Sequence, residues 1–107
     1  MRDINESDWK ILRQLHPQAL ERFCEQILLE VEAIRSDGAK SSHQQYLAIH
    51  GIMQQRNEEM AQIFDNKRRS TAFNQLADMK FRGLLIEDEY SMFSRDTRQV
   101  VARLLSE

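Results

Sequence analysis

One proline and three glycines in 107 residues leave this chain little choice but to be helical. Proline removes a backbone donor and glycine loosens the chain, so the two residues punctuate regular structure. Between Gly51 and Gly83 neither occurs, and nothing there forces the backbone out of a helix. Pro17, Gly38 and Gly83 each fall where an amphipathic pattern stops or restarts. The pattern predicts an all-α fold: a compact bundle of five or six helices in a single domain over 1–107.

A first helix is expected to start near Asn5 or Ser7, both good N-cap residues, with Asp8 adding favourable charge to the first turn. Pro17 is expected to end it, because the residue before a proline avoids the helical region; His16 then stands at a corner. A second helix should run from Pro17 to Arg35. Leu20, Cys24, Ile27, Val31 and Ile34 recur on it at steps of three and four, which is a bundle-type face. Gly38 suits the loop that follows. Either Ser41 with Gln44 or Ser42 with Gln45 can form a capping box for a third helix. That helix carries Tyr46, Ile49, Met53, Met60 and Phe64 on one side. Gly51 inside it costs about 1 kcal/mol relative to alanine, and close approach by a neighbouring helix would explain it.

No apolar residue occurs from Asp65 to Thr71. A fourth helix is expected from Asn66 to Arg82, capped by Asp65 or Ser70, unless helices three and four form one bent rod. Gly83 ends it. Leu84, Leu85 and Ile86 then form a short apolar plug, a short helix opens at Glu87 with Tyr90 and Phe93 pointing one way, and Ser94 caps a last helix with Val100, Val101, Leu104 and Leu105 inward.

The segment Gly83-Leu84-Leu85-Ile86-Glu87-Asp88-Glu89-Tyr90 resembles a helical hairpin found in short bacterial oligomerisation modules, without the serine or threonine cap usual there. Over its whole length the chain is similar to a group of short bacterial helical proteins of unknown function. Ala19-Leu20-Glu21-Arg22-Phe23-Cys24 and Phe64-Asp65, followed by Arg68-Arg69-Ser70-Thr71-Ala72, carry that likeness. It implies no catalytic residue.

The net charge of -2 creates no global field favouring nucleic acid or an anionic membrane. No apolar run reaches the roughly 20 residues needed to cross a bilayer, and the polar start has no signal-like apolar region. Cys24 is the only cysteine, which excludes an intramolecular disulfide and fits a cytoplasmic setting. Cys24 is expected as a small buried hydrophobe.

Charge is unevenly spread. Residues 64–82 hold five Lys or Arg against two Asp, whereas residues 1–37 hold five against eight Asp or Glu. Lys67, Arg68 and Arg69, with Ser70 and Thr71, are therefore the candidate partner-binding residues. They could contact phosphate, or pack beside the acidic first helices. Base reading has no support from a helix-turn-helix or aromatic-interleaved pattern.

No catalytic, cofactor or metal site is expected. His43 and His50 are seven residues apart, about 10.5 Å along a helix and too far to share an ion. Gly38-Ala39-Lys40-Ser41 lacks the spacing of a phosphate-binding loop. No serine pairs with a histidine and an acid. Glu58, Glu59, Glu87 and Glu89 are expected on exposed faces. Met53, Met60 and Met79, with Phe64 and Phe73, would serve as core or as an adaptable groove for a helix. The resulting expectation is a small non-enzymatic protein-interaction module of adaptor or regulatory character that self-associates. The alternative is a nucleic-acid accessory protein using Lys67 to Arg69.

Overall fold

A computed structural model describes residues 3–65 and 68–106. It is all-α, with no strand among the described residues. In chain order the helices are α1 (Glu6–Arg35), α2 (Ser42–Phe64), α3 (Ala72–Phe81), α4 (Glu87–Tyr90) and α5 (Arg95–Leu105), with a 3-10 turn at Arg69–Thr71 before α3.

Pro17 does not divide α1, which runs unbroken for 30 residues, so the expected corner at His16 is absent. The reason is energetic. Proline inside a helix costs about 3 kcal/mol and leaves the carbonyl of Arg13 without its amide donor. Arg13 and Pro17 are both exposed, where water can replace that donor. Leu12, Ala19 and Phe23 are buried in one stripe that continues through the proline. Full burial of Leu12 and Phe23 alone contributes roughly 1.5–3 kcal/mol each, enough to outweigh the defect. His16 also holds the helix in place by packing its ring edge against Phe64, with centroids 5.0 Å apart.

Capping follows the local rules. Asn5 accepts a hydrogen bond from the Asp8 amide, and Ser94 accepts one from Thr97. Of the two capping boxes open at α2, Ser41 and Gln44 form it reciprocally. The α1–α2 turn is fixed from inside by Gln45, which is buried. Its amide donates to the Asp37 carbonyl, and its oxygen accepts from Arg35. Helices α2 and α3 are separate. Asp65 leaves α2 in an extended conformation, and α3 begins at Ala72 rather than Asn66, with Thr71 at its N-cap position giving no side-chain cap hydrogen bond. Gln75, buried on α3, instead donates to the Asp65 carbonyl and ties the two helices. Gly83 takes a positive φ of 71° at the end of α3, a conformation glycine adopts at little cost.

The molecule is elongated, at 51 × 26 × 25 Å, with a radius of gyration of 16.5 Å. A spherical domain of this length would have about 13 Å. The core explains the difference. It joins Ile4, Leu12, Ala19, Phe23 and Ile27 to Leu76, Met79, Leu84, Tyr90, Phe93 and Val101, and from α2 it takes only Ile63 and Phe64. The remaining length of α2 and the end of α1 form a hairpin that projects beyond this core.

No neighbouring helix approaches Gly51. A Cβ built there meets nothing within 4 Å. The Gly51→Ala variant should therefore be about 0.5–1 kcal/mol more stable, read as a higher urea midpoint at unchanged slope. A lower midpoint would mean that a neighbour does use the space.

Candidate functional site

The residues of the basic segment do not converge. Lys67 lies outside the described residues. Arg69 is turned back onto the start of α1, donating to the Ile4 carbonyl at 3.0 Å and to Glu6 at 3.3 Å. This is the arrangement in which basic residues pack beside the acidic first helix. Arg68 and Ser70 are exposed, and the Thr71 hydroxyl donates to the Arg68 carbonyl. Thr71 also borders a cleft of about 240 Å³ with Gln62, Asp65, Asn74, Gln75 and Asp78. Desolvation in this cleft pushes the Asp78 carboxyl above its ordinary range, with Arg82 pulling it the other way. Two carboxylates at this point oppose phosphate binding.

Several acidic residues expected on exposed faces are instead paired. Arg56 on α2 donates to Glu30 on α1 and to Glu59, and Arg82 after α3 donates to Glu59. These four groups form one chain of alternating charge across three helices. Glu30, Arg56 and Arg82 border a cleft of about 180 Å³ that Phe23, Gln26 and Ile27 also line. Arg22 donates to Glu89 through both guanidinium nitrogens and to the Leu84 carbonyl. The guanidinium holds the Glu89 carboxyl below its ordinary range, assisted by the Ile86 amide and opposed by desolvation. Among the described residues no three His, Cys, Asp or Glu side chains stand close enough to hold a metal ion. Among the described residues no helix is long and apolar enough to cross a membrane.

These pairs also define which side of the α1–α2 layer is covered. Arg22 and Gln26 on α1 reach the α3–α4 connection, and Glu59 on α2 reaches Arg82. On α1, Cys24 and Leu28 lie about half a turn from Arg22 and Gln26. With Leu20 and Val31 they form a stripe at steps of four, four and three. On α2, Tyr46, His50, Met53 and Asn57 occupy the flank turned away from Glu59. Because α1 and α2 face each other along the line of His16 with Phe64 and Glu30 with Arg56, these two flanks fall on one side of the layer, opposite α3 and α4.

That side is open. Leu20, Cys24, Val31, Ile49 and Met60 are half-buried; Leu28, Tyr46 and Met53 are exposed, at 60%, 65% and 40% of their surface. The Tyr46 ring stacks on His50 with 6.4 Å between centroids. Leu29 and Leu47 are also more than half exposed, but Leu29 lies on the Arg22 side of α1 rather than on this face.

The periodic stripes on α1 and α2 were legible as apolar faces but read as inward ones. The expected groove residues divide differently: Met79 and Phe64 are buried in the core, Phe73 and Met60 are partly buried, and only Met53 is exposed. Cys24 is half-buried on the open face rather than enclosed. One sequence signal could have located this face. From Ser41 to Gln55 no Asp, Glu, Lys or Arg occurs, in a chain that is 30% charged. An exposed helix surface normally carries charge, and here charge is absent over four turns.

Comparisons with protein-family models, curated proteins and solved structures return no match.

Proposed function

We propose that this chain is a small, non-enzymatic helical interaction module whose contact surface is the open face of the α1–α2 layer. The observation that carries this reading is the charge-free run 41–55 together with the exposure of Leu28, Tyr46 and Met53. Protein contact surfaces are depleted of charge at their centres and enriched in tyrosine and methionine, and a soluble chain rarely leaves such a stripe uncovered. Methionine and leucine can also adapt their shape to a facing helix. Polar groups in the clefts support the same reading, because Glu30, Arg56, Glu59 and Arg82 are engaged with one another. A nucleic-acid role for Lys67 to Arg69 is less favoured, since Arg69 is bonded to Glu6 and Ile4.

Site-specific photo-crosslinking tests the proposal. A photoreactive residue at Met53 should give protein adducts in a native extract, whereas the same residue at exposed Arg103 should give few. Equal labelling from both positions would overturn the assignment of the open face.

A further inference from the structure

We infer that Asp37 and Gly38 form a self-modifying site, at which the α1–α2 turn of the folded protein converts to isoaspartate without an enzyme or cofactor.

Asp37-Gly38 is the one Asp-Gly pair in the chain, and every other aspartate precedes a residue with a side chain. Glycine matters because the reaction needs its backbone nitrogen to reach the carboxyl carbon of the preceding residue. With no Cβ, the nitrogen is unshielded and the backbone can turn to meet that carbon.

The turn leaves this nitrogen available. The Ser36 and Asp37 amides donate to the Glu32 and Ile34 carbonyls, and the Lys40 amide to the Asp37 carbonyl. The Ala39 amide donates to the Asp37 carboxylate and the Ser41 amide to the Gln44 side chain. Between them the Gly38 amide has no acceptor among the described residues, and Gly38 is exposed. It breaks no hydrogen bond on reacting. A Cβ built at Gly38 meets nothing within 4 Å, so the turn has room to move. The Asp37 carboxylate is held only by the Ala39 amide and by Lys40 at 3.8 Å, with 40% of the Asp37 side chain exposed. An ion pair that open to water restrains it little.

The reaction balances with water alone. The Gly38 nitrogen attacks Cγ of the neutral Asp37 carboxyl. The N–Cγ bond forms, the Cγ–OH bond breaks, and the amide proton leaves with the hydroxyl as water. Water then opens the cyclic imide at one of its two carbonyls. Opening at Cγ restores aspartate. Opening at the former backbone carbonyl breaks its bond to nitrogen, and the chain then runs through Cβ and Cγ. The backbone is one carbon longer, and the old carbonyl has become a free carboxylate. That carbonyl is the acceptor for the Gln45 side chain at 3.1 Å and the Lys40 amide at 3.3 Å. Isomerisation therefore displaces the group that fixes the turn, and the isoaspartyl form should unfold at a lower urea midpoint.

Incubation of the folded protein in water enriched in heavy oxygen is the test, at about pH 6, where a fraction of ordinary carboxyls is still neutral. Fragment mass spectra should show the label entering residue 37, as aspartate and isoaspartate, about tenfold faster than any other aspartate. Gly38→Ala should slow this by about tenfold, because a Cβ crowds the nitrogen and narrows its backbone angles. The variant should keep the parental circular dichroism, since its Cβ has space and Gly38 does not use a positive φ. Asp37→Glu, which would have to close a larger ring, should give no isomerised product. Labelling of residue 37 in urea but not in the folded protein would show that the turn protects the pair and would overturn the inference. Labelling of Gly38→Ala at the parental rate would overturn it equally. A separated isoaspartyl form with the parental urea midpoint would overturn the loss of the turn contact.

Discussion

Asp8→Ala is expected to lower stability by about 3–5 kcal/mol, a large part of the total for a domain of this size. Asp8 is 2% exposed, and its carboxylate joins two helix starts. It accepts from the Ser94 amide at 3.0 Å, from the Ser94 and Thr97 hydroxyls, and from the Asn5 amide group at 2.9 Å. Ser94 is the N-cap of α5, and Asn5 is the N-cap of α1. One side chain therefore satisfies donors at both ends of the contact, and the positive poles of two helices favour its charge. Alanine would strand the buried Thr97 hydroxyl and the Ser94 amide together, and hydrogen bonds to a charged group are worth about 1.5–3 kcal/mol each. Asp8→Asn keeps the shape but turns an amide donor toward other donors, so a loss of roughly 2 kcal/mol is expected. Urea unfolding measures both; a loss below about 1 kcal/mol for Asp8→Ala would show that the network is replaceable by water.

The same site sets a pH dependence. Burial by itself pushes the Asp8 carboxyl up, but the hydrogen bonds from Ser94, Thr97 and Asn5 together outweigh it and hold the group below its ordinary value of 3.8. The unfolded chain thus takes up the proton more readily than the folded one. The stabilisation is fully present above that ordinary value and is lost as pH falls below it through the lower folded value. Urea midpoints should drop more steeply for the parent than for Asp8→Asn between about pH 5 and pH 2. Parallel curves would remove Asp8 as the origin of the acid sensitivity.

Phe23→Ala should cost about 3–5 kcal/mol by deleting the ring that joins the projecting hairpin to the rest of the molecule. Phe23 is 2% exposed, lies 6.0 Å from Phe64 between centroids, and has the Arg82 guanidinium over its ring. The cleft bordered by Glu30, Arg56 and Arg82 already reaches it. Water can enter from there, which places the expected loss near the lower end of the range. Leu28→Ala is the natural control. It removes about half as many carbons from the same helix, three against six, but from an exposed site, and should change stability by less than about 0.5 kcal/mol. A scan in which the two variants melt together would contradict the division between the core and open faces of α1.

That division shows what periodicity alone can and cannot resolve. Steps of three and four correctly marked Leu20 to Ile34 as an apolar side; the cap at Ser94 was legible, and those at Asn5 and Ser41 were narrowed to two candidates each, because capping depends only on nearby residues. A broad apolar stripe, however, does not say which part of its width meets the core. Ile27 is buried and Leu28, next to it, is largely exposed. Only the seating of α3 and α4 on the Arg22 side of α1 separates them. The same holds for Glu59 and Glu89, whose partners lie 23 and 67 residues away in sequence.

By itself the sequence determined that the chain is helical, where most helices begin and end, and which sides of them are apolar. These are local matters, set by backbone freedom, capping and spacing within a few residues. Tertiary structure decided the rest. It carried α1 through Pro17, because the buried stripe of Leu12, Ala19 and Phe23 outweighs one missing hydrogen bond. It also turned Asp8 into a junction between α1 and α5, and left one side of the α1–α2 layer open. Each outcome depends on which distant surface arrives against a given face, and that is a sum over the whole molecule.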